Sequence, residues 1–322
     1  MSINSSTTVI IRSVGERTES LCKKLILDQG VPKRNVLIIR EAPFSAAMKK
    51  SFEIGINRGL RWTLCVDADV LLRENAISEM VRLGNKQSAN ILELQGLVLD
   101  KLTNSIRQGG PHLYRTSLLE SALKFIPKEG TDIRPEASTL LAMEKLGFPW
   151  KQVHVLFGLH DFEQYNRDIF RKCFVHAHKH LNWLEKLVPC WKEKANDDDD
   201  YYVALTGLAY GIKYVDDVYI DVNQKVYSDS FAEAKIKEKD ALDTSSYSAK
   251  EVENIIQEYT NTKKYSSSNI ILVDNSLNIK RSFLKNVNAK IKDIGIILFF
   301  PWMIGWILRS LGATICNKLE NN

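Results

Sequence analysis

Asp67 and Asp69 stand one residue apart at the end of the apolar run 62–66. If that run is a strand, side-chain alternation puts both carboxylates on one face and Ala68 on the other. Two like charges on one face repel and resist desolvation unless a cation neutralises them. A hard divalent ion such as Mg²⁺ or Mn²⁺ accepts oxygen ligands and keeps positions open for phosphate oxygens. The pair therefore reads as a metal–diphosphate site, and also as an acidic turn that caps the next helix or faces solvent. The surrounding elements separate the two.

Residues 8–11 form a short β-branched run, followed by the turn Ser13-Val14-Gly15. Residues 16–29 have helical spacing through Leu21, Leu25 and Ile26, and 36–39 is a second apolar strand ending at Arg40-Glu41-Ala42-Pro43. A second helix is predicted over 44–58, with Gly59 at its C-terminus, where a left-handed residue belongs. A third strand over 62–66 then delivers Asp67-Ala68-Asp69. Strand, helix, strand, helix, strand within about seventy residues implies a parallel, doubly wound sheet. Such sheets bind ligands at the carboxyl ends of their strands, so Ser13, Glu41 and Asp67 should converge on one cleft.

With these residues placed, the chain resembles the nucleotide-binding half of GT-A-type glycosyltransferases, close to the large family-2-like group. The resemblance is carried by residues 9–17, by 46–58 with Gly59, and by 62–69, and it covers roughly residues 7–180. It departs at the second strand, where many relatives have an Asp-rich turn and this chain has Arg40-Glu41-Ala42-Pro43; Glu41 stands as the substitute contact for the base.

The resemblance implies an α/β fold: a Rossmann-like, mostly parallel sheet flanked by helices, with a largely helical C-terminal extension. It implies transfer of a sugar from a nucleoside-diphosphate sugar to an acceptor hydroxyl, with Mn²⁺ or Mg²⁺ as cofactor. Asp67 and Asp69 would hold the ion, with His160 as third ligand, because a histidine late in the domain completes the site in several such families. Ser13, Arg17 and Glu41 would seat the nucleoside, and the acceptor would be a glycan or a glycolipid of the cell envelope. His112 and Arg115, after Gly109-Gly110-Pro111, occupy the stretch that builds the acceptor side; a plain surface turn explains them equally well. Asp161 or Glu163 would serve as the base that deprotonates the acceptor hydroxyl, and Asp161 also fits a helix N-cap ahead of the helical stretch that runs to about 187.

Composition narrows the field. The net charge is +5 and the basic residues are dispersed, which argues against nucleic acid and is compatible with anionic substrates or an anionic membrane surface. The five cysteines are far apart with no C-x-x-C pair, which argues against a disulfide framework or zinc finger and suits a reducing, cytoplasmic setting. His176 and His180 share a helical face but lack the pattern of a zinc helix.

Three segments are expected: a catalytic domain over 1–190, a helical or linker extension over 191–282, and a basic and apolar tail over 283–322. Within the first extension, 192–200 ends in four aspartates and reads as a solvated linker or helix start, 220–226 as an edge strand or loop, and 228–265 as exposed. Residues 294–308 carry no charge, are too short to span a bilayer, and place Trp302 and Trp306 on one face. They fit a peripheral membrane contact or a buried helix equally. A sugar-nucleotide nucleotidyltransferase would share the sheet and the metal but needs a glycine-rich basic loop after the first strand. Here Ser13-Val14-Gly15-Glu16-Arg17 has one glycine. A non-catalytic scaffold of the same fold is the remaining alternative.

Overall fold

The computed structural model describes residues 3–129, 131–132, 134–179, 181–218, 221–262 and 270–271, within the compact unit Met1–Ile271. The elements, in chain order, are β1 (Thr7–Arg12), α1 (Glu19–Asp28), β2 (Val36–Ile39), α2 (Phe44–Arg58), β3 (Trp62–Asp67), β4 (Val70–Leu72), α3 (Ala76–Asn85), β5 (Glu93–Asp100) and β6 (Ser105–Arg115). They continue with the single turn α4 (Leu119–Ala122), α5 (Pro135–Lys145), β7 (Trp150–His160), α6 (Asn166–Lys179), α7 (Leu181–Lys194), α8 (Asp199–Lys213), α9 (Lys225–Glu233), α10 (Ala249–Thr262) and the short β8 (Ile270–Ile271).

The fold class is α/β. One sheet runs β2-β1-β3-β6-β5-β7-β4, with β8 added beside β6. Strands β1, β2, β3, β5 and β7 point one way, and β6 and β4 point the other. Both faces of the central strands are covered. On β3, Leu64 and Val66 join the core beneath α1, α3 and α10, while Cys65 faces Met48 and Phe52 of α2 and Leu140 and Met143 of α5. Double burial explains why the first three strands read as continuous apolar runs. A second core, built from Ile169, Phe170, Cys173 and Phe174 of α6 with Val203, Ala204 and Leu208 of α8, lies to the C-terminal side. Full burial of each large side chain is worth about 1.5–3 kcal/mol, so these residues anchor α6 firmly.

The first five elements follow the sequence expectation closely. Several later ones do not. The Asp67-Ala68-Asp69 motif is not a pleated strand: β3 ends at Asp67, and a two-residue turn leads into β4. Three bonds fix that turn: Ala68 N–H donates to the Arg12 carbonyl at 2.9 Å, the Ala68 carbonyl accepts from Thr18 Oγ1 at 2.7 Å, and Gln164 Nε2 donates to that hydroxyl at 3.0 Å. The Gly109–Arg115 stretch is not a loop but the second half of β6. Gly109 and Gly110 carry it past the β5 register shift between Gln95 and Leu97, with φ of 143° and 85°. Alternation there no longer looks like a strand, which hides it in the sequence.

Asp161 is not a helix cap, because α6 begins five residues later, at Asn166. Asp161 and Glu163 instead form a turn with φ of 63° and 57°. The acidic run 197–200 does start a helix. Asp198 caps α8 by accepting from Asp200 N–H at 3.0 Å, but Asp200 is buried against Lys101 and Lys239 rather than solvated. In the stretch read as exposed, α10 sends Val252 and Ile256 into the main core. Lys225 and Val226, read as strand or loop, open α9. Residue 190, the expected first boundary, lies within α7. His180 and residues 283–322, including 294–308, lie outside the described residues. Among the described residues no helix is long and apolar enough to cross a membrane.

Candidate functional site

Four strands that share a direction end in ionisable residues. Arg12 closes β1, Asp67 closes β3, Asp100 closes β5 and His160 closes β7. Carboxyl ends of such strands are where α/β sheets place ligands. Strand β4 runs back alongside β7 with Val70 opposite His160, which puts Asp69, the residue before it, beside the end of β7. This pairing needs Gly158, where a Cβ atom would stand 2.3 Å from the Leu71 carbonyl oxygen. The Asp161 N–H donates to the Asp69 carbonyl at 3.2 Å and joins the two turns. As a result Asp69, His160 and Asp161 each offer a ligand atom, all within 4.8 Å of one another. A non-glycine residue at positive φ is costly, and at Asp161 this backbone turns the carboxylate toward the group.

The three are buried or nearly so, and the balance of charge is tight. His160 Nδ1 lies 2.9 Å from Asp100 Oδ2 and 3.0 Å from Asp161 Oδ2, and Nε2 lies 3.7 Å from Asp69 Oδ1. Arg107, from the start of β6, binds Asp100 at 2.6 Å. Lys172, from α6, bonds both Asp69 and Asp161. Burial works against the charge of His160, but Asp161 and Asp69 beside it raise its pKa to about 10. Burial likewise opposes the carboxylates, yet Lys172 and His160 hold Asp69 below its usual value, His160 and Lys172 hold Asp161 down, and Arg107 with His160 hold Asp100 well down. One atom is left over: Asp69 Oδ1 is buried with no hydrogen-bond partner. A buried carboxylate oxygen without a hydrogen bond is expensive, and a cation bound to it would lower that cost. Two carboxylates, one of them carrying this oxygen, and one imidazole fit a hard or borderline divalent ion.

Asp67 has a different role. Its Oδ1 accepts from Arg12 Nε at 2.7 Å, and the group whose ligand atoms lie together is Asp69, His160 and Asp161, where the sequence expectation had Asp67, Asp69 and His160. Behind Arg12 runs a second buried chain. Arg12 meets Glu136 at 3.2 Å, Tyr114 donates to Glu136 at 2.7 Å, and His112 stands between Glu136 at 3.4 Å and Glu93 at 2.6 Å. Burial opposes ionisation of Glu136, but His112 and Arg12 bring it to about 2. His112 therefore sits inside the protein, not on an acceptor surface. Arg115 stands opposite Trp62, at the far end of β3 from Asp67, where it binds the carbonyls of Ile91 and Ser88 at 3.3 and 3.1 Å. That position corrects its assignment to the cleft.

Ser13, Arg17 and Glu163 belong to the turns that follow β1 and β7. Ser13 Oγ donates to Glu16 at 2.7 Å. Burial first, and the nearby Asp69 second, push Glu16 up to about 7. Arg17 binds Glu163 at 2.6 Å and the Asp240 carbonyl at 2.7 Å. Glu163 also accepts from Tyr247 at 2.7 Å, which fixes it as an ion-pair partner of Arg17. Glu41 is exposed. Sequence reasoning missed Asp100, Arg107 and Lys172. Asp100 carried a usable signal, since it closes an apolar run just as Asp67 does.

No protein-family model matches the chain, and no curated protein matches it in sequence. Solved structures resemble it weakly. The mannosyltransferase PcManGT from Pyrobaculum calidifontis, in complex with GDP-Man and Mn²⁺, is 11% identical at a TM-score of 0.36, over 81% of this chain and 88% of that one. A glycosyltransferase involved in glycosylation of the major capsid of PBCV-1 is 14% identical at a TM-score of 0.33, over 46% and 81%. A CMP:2-keto-3-deoxy-manno-octonic acid synthetase complexed with CTP is 8% identical at a TM-score of 0.35, over 48% and 92%. Likenesses of this size carry no weight for function, and the α/β fold class rests on the strand order itself.

Proposed function

We propose that this chain is a metal-dependent glycosyltransferase that moves a sugar from a nucleoside-diphosphate sugar to an acceptor hydroxyl of a glycan or glycolipid. The observation that carries the reading is the Asp69–His160–Asp161 cluster at the strand ends, with Asp69 Oδ1 buried and without a hydrogen bond. Asp69, His160 and Asp161 would hold Mn²⁺ or Mg²⁺, whose chemistry is to neutralise the charge that develops on a departing diphosphate.

The chain's own residues then divide the work. Asp100 orients His160 through Nδ1, which also meets Asp161, and Nε2 faces Asp69. Arg12 holds Asp67 at the end of β3, next to the turn that carries Asp69. Arg17, near the end of β1, is the cation placed to meet a phosphate once its bond to Glu163 opens. Asp161 serves as a ligand in this account rather than as the base. Against nucleotidyl transfer, the turn after β1 is closed on itself, with Gly15 N–H donating to Ser13 Oγ at 3.0 Å and Val14 N–H donating to Glu16 at 2.7 Å. A cytoplasmic location, with residues 294–308 as a peripheral membrane contact near a lipid-linked acceptor, completes the proposal.

The test is donor hydrolysis by the purified protein across UDP-, GDP-, CMP- and dTDP-sugars with Mn²⁺. Nucleotide release from one donor, abolished by chelator and by Asp69→Asn, is expected. No release from any donor, together with no metal-dependent donor binding, would overturn the reading.

A further inference from the structure

The acidic pair that would take a metal already has a cation across it. Lys172 Nζ bonds Asp69 Oδ2 and Asp161 Oδ1, groups that belong to two of the three residues of the cluster. The lysine is mostly shielded from water. Its helix cannot retreat easily, because the neighbouring Ile169, Phe170, Cys173 and Phe174 are all buried in the second core. What can move is the flexible four-carbon stem and its compact ammonium.

The charges do not favour both cations at once. Asp69, Asp100 and Asp161 face Arg107 and Lys172, with His160 as a third positive group for as long as its ring carries both protons. With a neutral imidazole on a divalent ion, the cluster is balanced when Lys172 has left and positive when it stays. Repulsion between an ammonium and a divalent ion sharing two carboxylates is strong where water is scarce.

We infer that Lys172 and a divalent cation are alternative occupants of the Asp69–Asp161 pair, so that metal entry expels the lysine ammonium from between the two carboxylates. The inference rests on the metal site proposed above. It makes Lys172 a positioning residue: it keeps the two carboxylates together without metal and is exchanged when metal arrives.

Direct Mn²⁺ binding to the full chain, read by titration calorimetry or by the signal of free Mn²⁺, tests this without reference to turnover. Lys172→Met removes the competitor and should tighten Mn²⁺ binding at least tenfold, while Lys172→Arg, which keeps the charge, should not. In the wild type, Mn²⁺ should raise acylation of Lys172 by an amine-reactive reagent several-fold, as read by mass spectrometry, and this measurement does not depend on how the variant folds. Wild-type binding with unchanged or weaker affinity in folded Lys172→Met, or no gain in acylation, overturns the exchange and leaves the metal site standing. Absence of Mn²⁺ binding in both proteins overturns the metal site, and the exchange with it.

Discussion

Two histidines in this chain sit among carboxylates, and they do different things. His112 is carried on a mid-strand position of β6, between Glu93 and Glu136, and burial is opposed there by the two glutamates, which keep its pKa raised. His160 closes β7, beside two turns, and faces Asp69 Oδ1 across 3.7 Å with no hydrogen bond formed. The groups around His112 come from β5, β6 and α5 and tie the sheet to its covering helix. Those around His160 come from the turn between β3 and β4, the ends of β5 and β7, the start of β6 and the helix that follows β7, and they leave an acidic oxygen without a hydrogen bond. Each group also holds a buried carboxylate oxygen without a hydrogen bond, Glu93 Oε2 beside His112 and Asp69 Oδ1 beside His160, so neither buried charge nor a missing partner marks a site; what sets His160 apart is its place at the strand ends, where three ligand atoms come together.

The sharpest way to break this contrast is His112→Ala, which leaves Glu93 buried without its partner. A stability loss of about 3–5 kcal/mol is expected, with Mn²⁺ affinity in the folded fraction unchanged. Denaturant unfolding and a metal titration check the two halves. Asp69→Asn should do the reverse: it should lower Mn²⁺ affinity by more than the roughly 100-fold that an outer partner costs, while Asp67→Asn keeps most of the affinity.

Asp100→Asn tests the orientation of His160 and should cost about 10–100-fold in Mn²⁺ affinity by calorimetry.

The smallest expected effect concerns Glu16. Its pKa in the folded protein is raised from 4.5 to about 7, by burial first and by Asp69 second. The neutral form is therefore the one the fold favours, and the stability it adds below the unfolded pKa is lost as pH rises through about 7. With chelator present, unfolding at pH 5 and pH 8.5 should show the wild type losing roughly 1–3 kcal/mol that Glu16→Gln retains.

Much of this was legible in the sequence wherever the signal is local. The strands β1 to β3 and the helices α1 and α2 follow from apolar runs, helical spacing and Gly59, and the acidic turn after β3 was found because its two acids are adjacent to a strand end. His160 was named as a ligand candidate, whereas Asp161 was named only as a base or helix cap, because the positive φ that turns it inward leaves no mark in residue type. Lys172 could not be reached at all: it lies 103 positions from Asp69, and nothing in α6 distinguishes it from a solvated lysine. Arg115 misled because proximity in sequence to Gly109 and Gly110 suggested a loop, whereas an antiparallel strand carries it to the opposite end of β3.

The central claim is that Asp69, His160 and Asp161 together hold a divalent cation. Anomalous diffraction from crystals soaked in Mn²⁺ tests it most directly. The account predicts one strong peak in bonding contact with all three side chains and Lys172 Nζ withdrawn from Asp69 and Asp161. A peak on Asp67 with Asp69 still bonded to Lys172, or no peak at the strand ends, would contradict it.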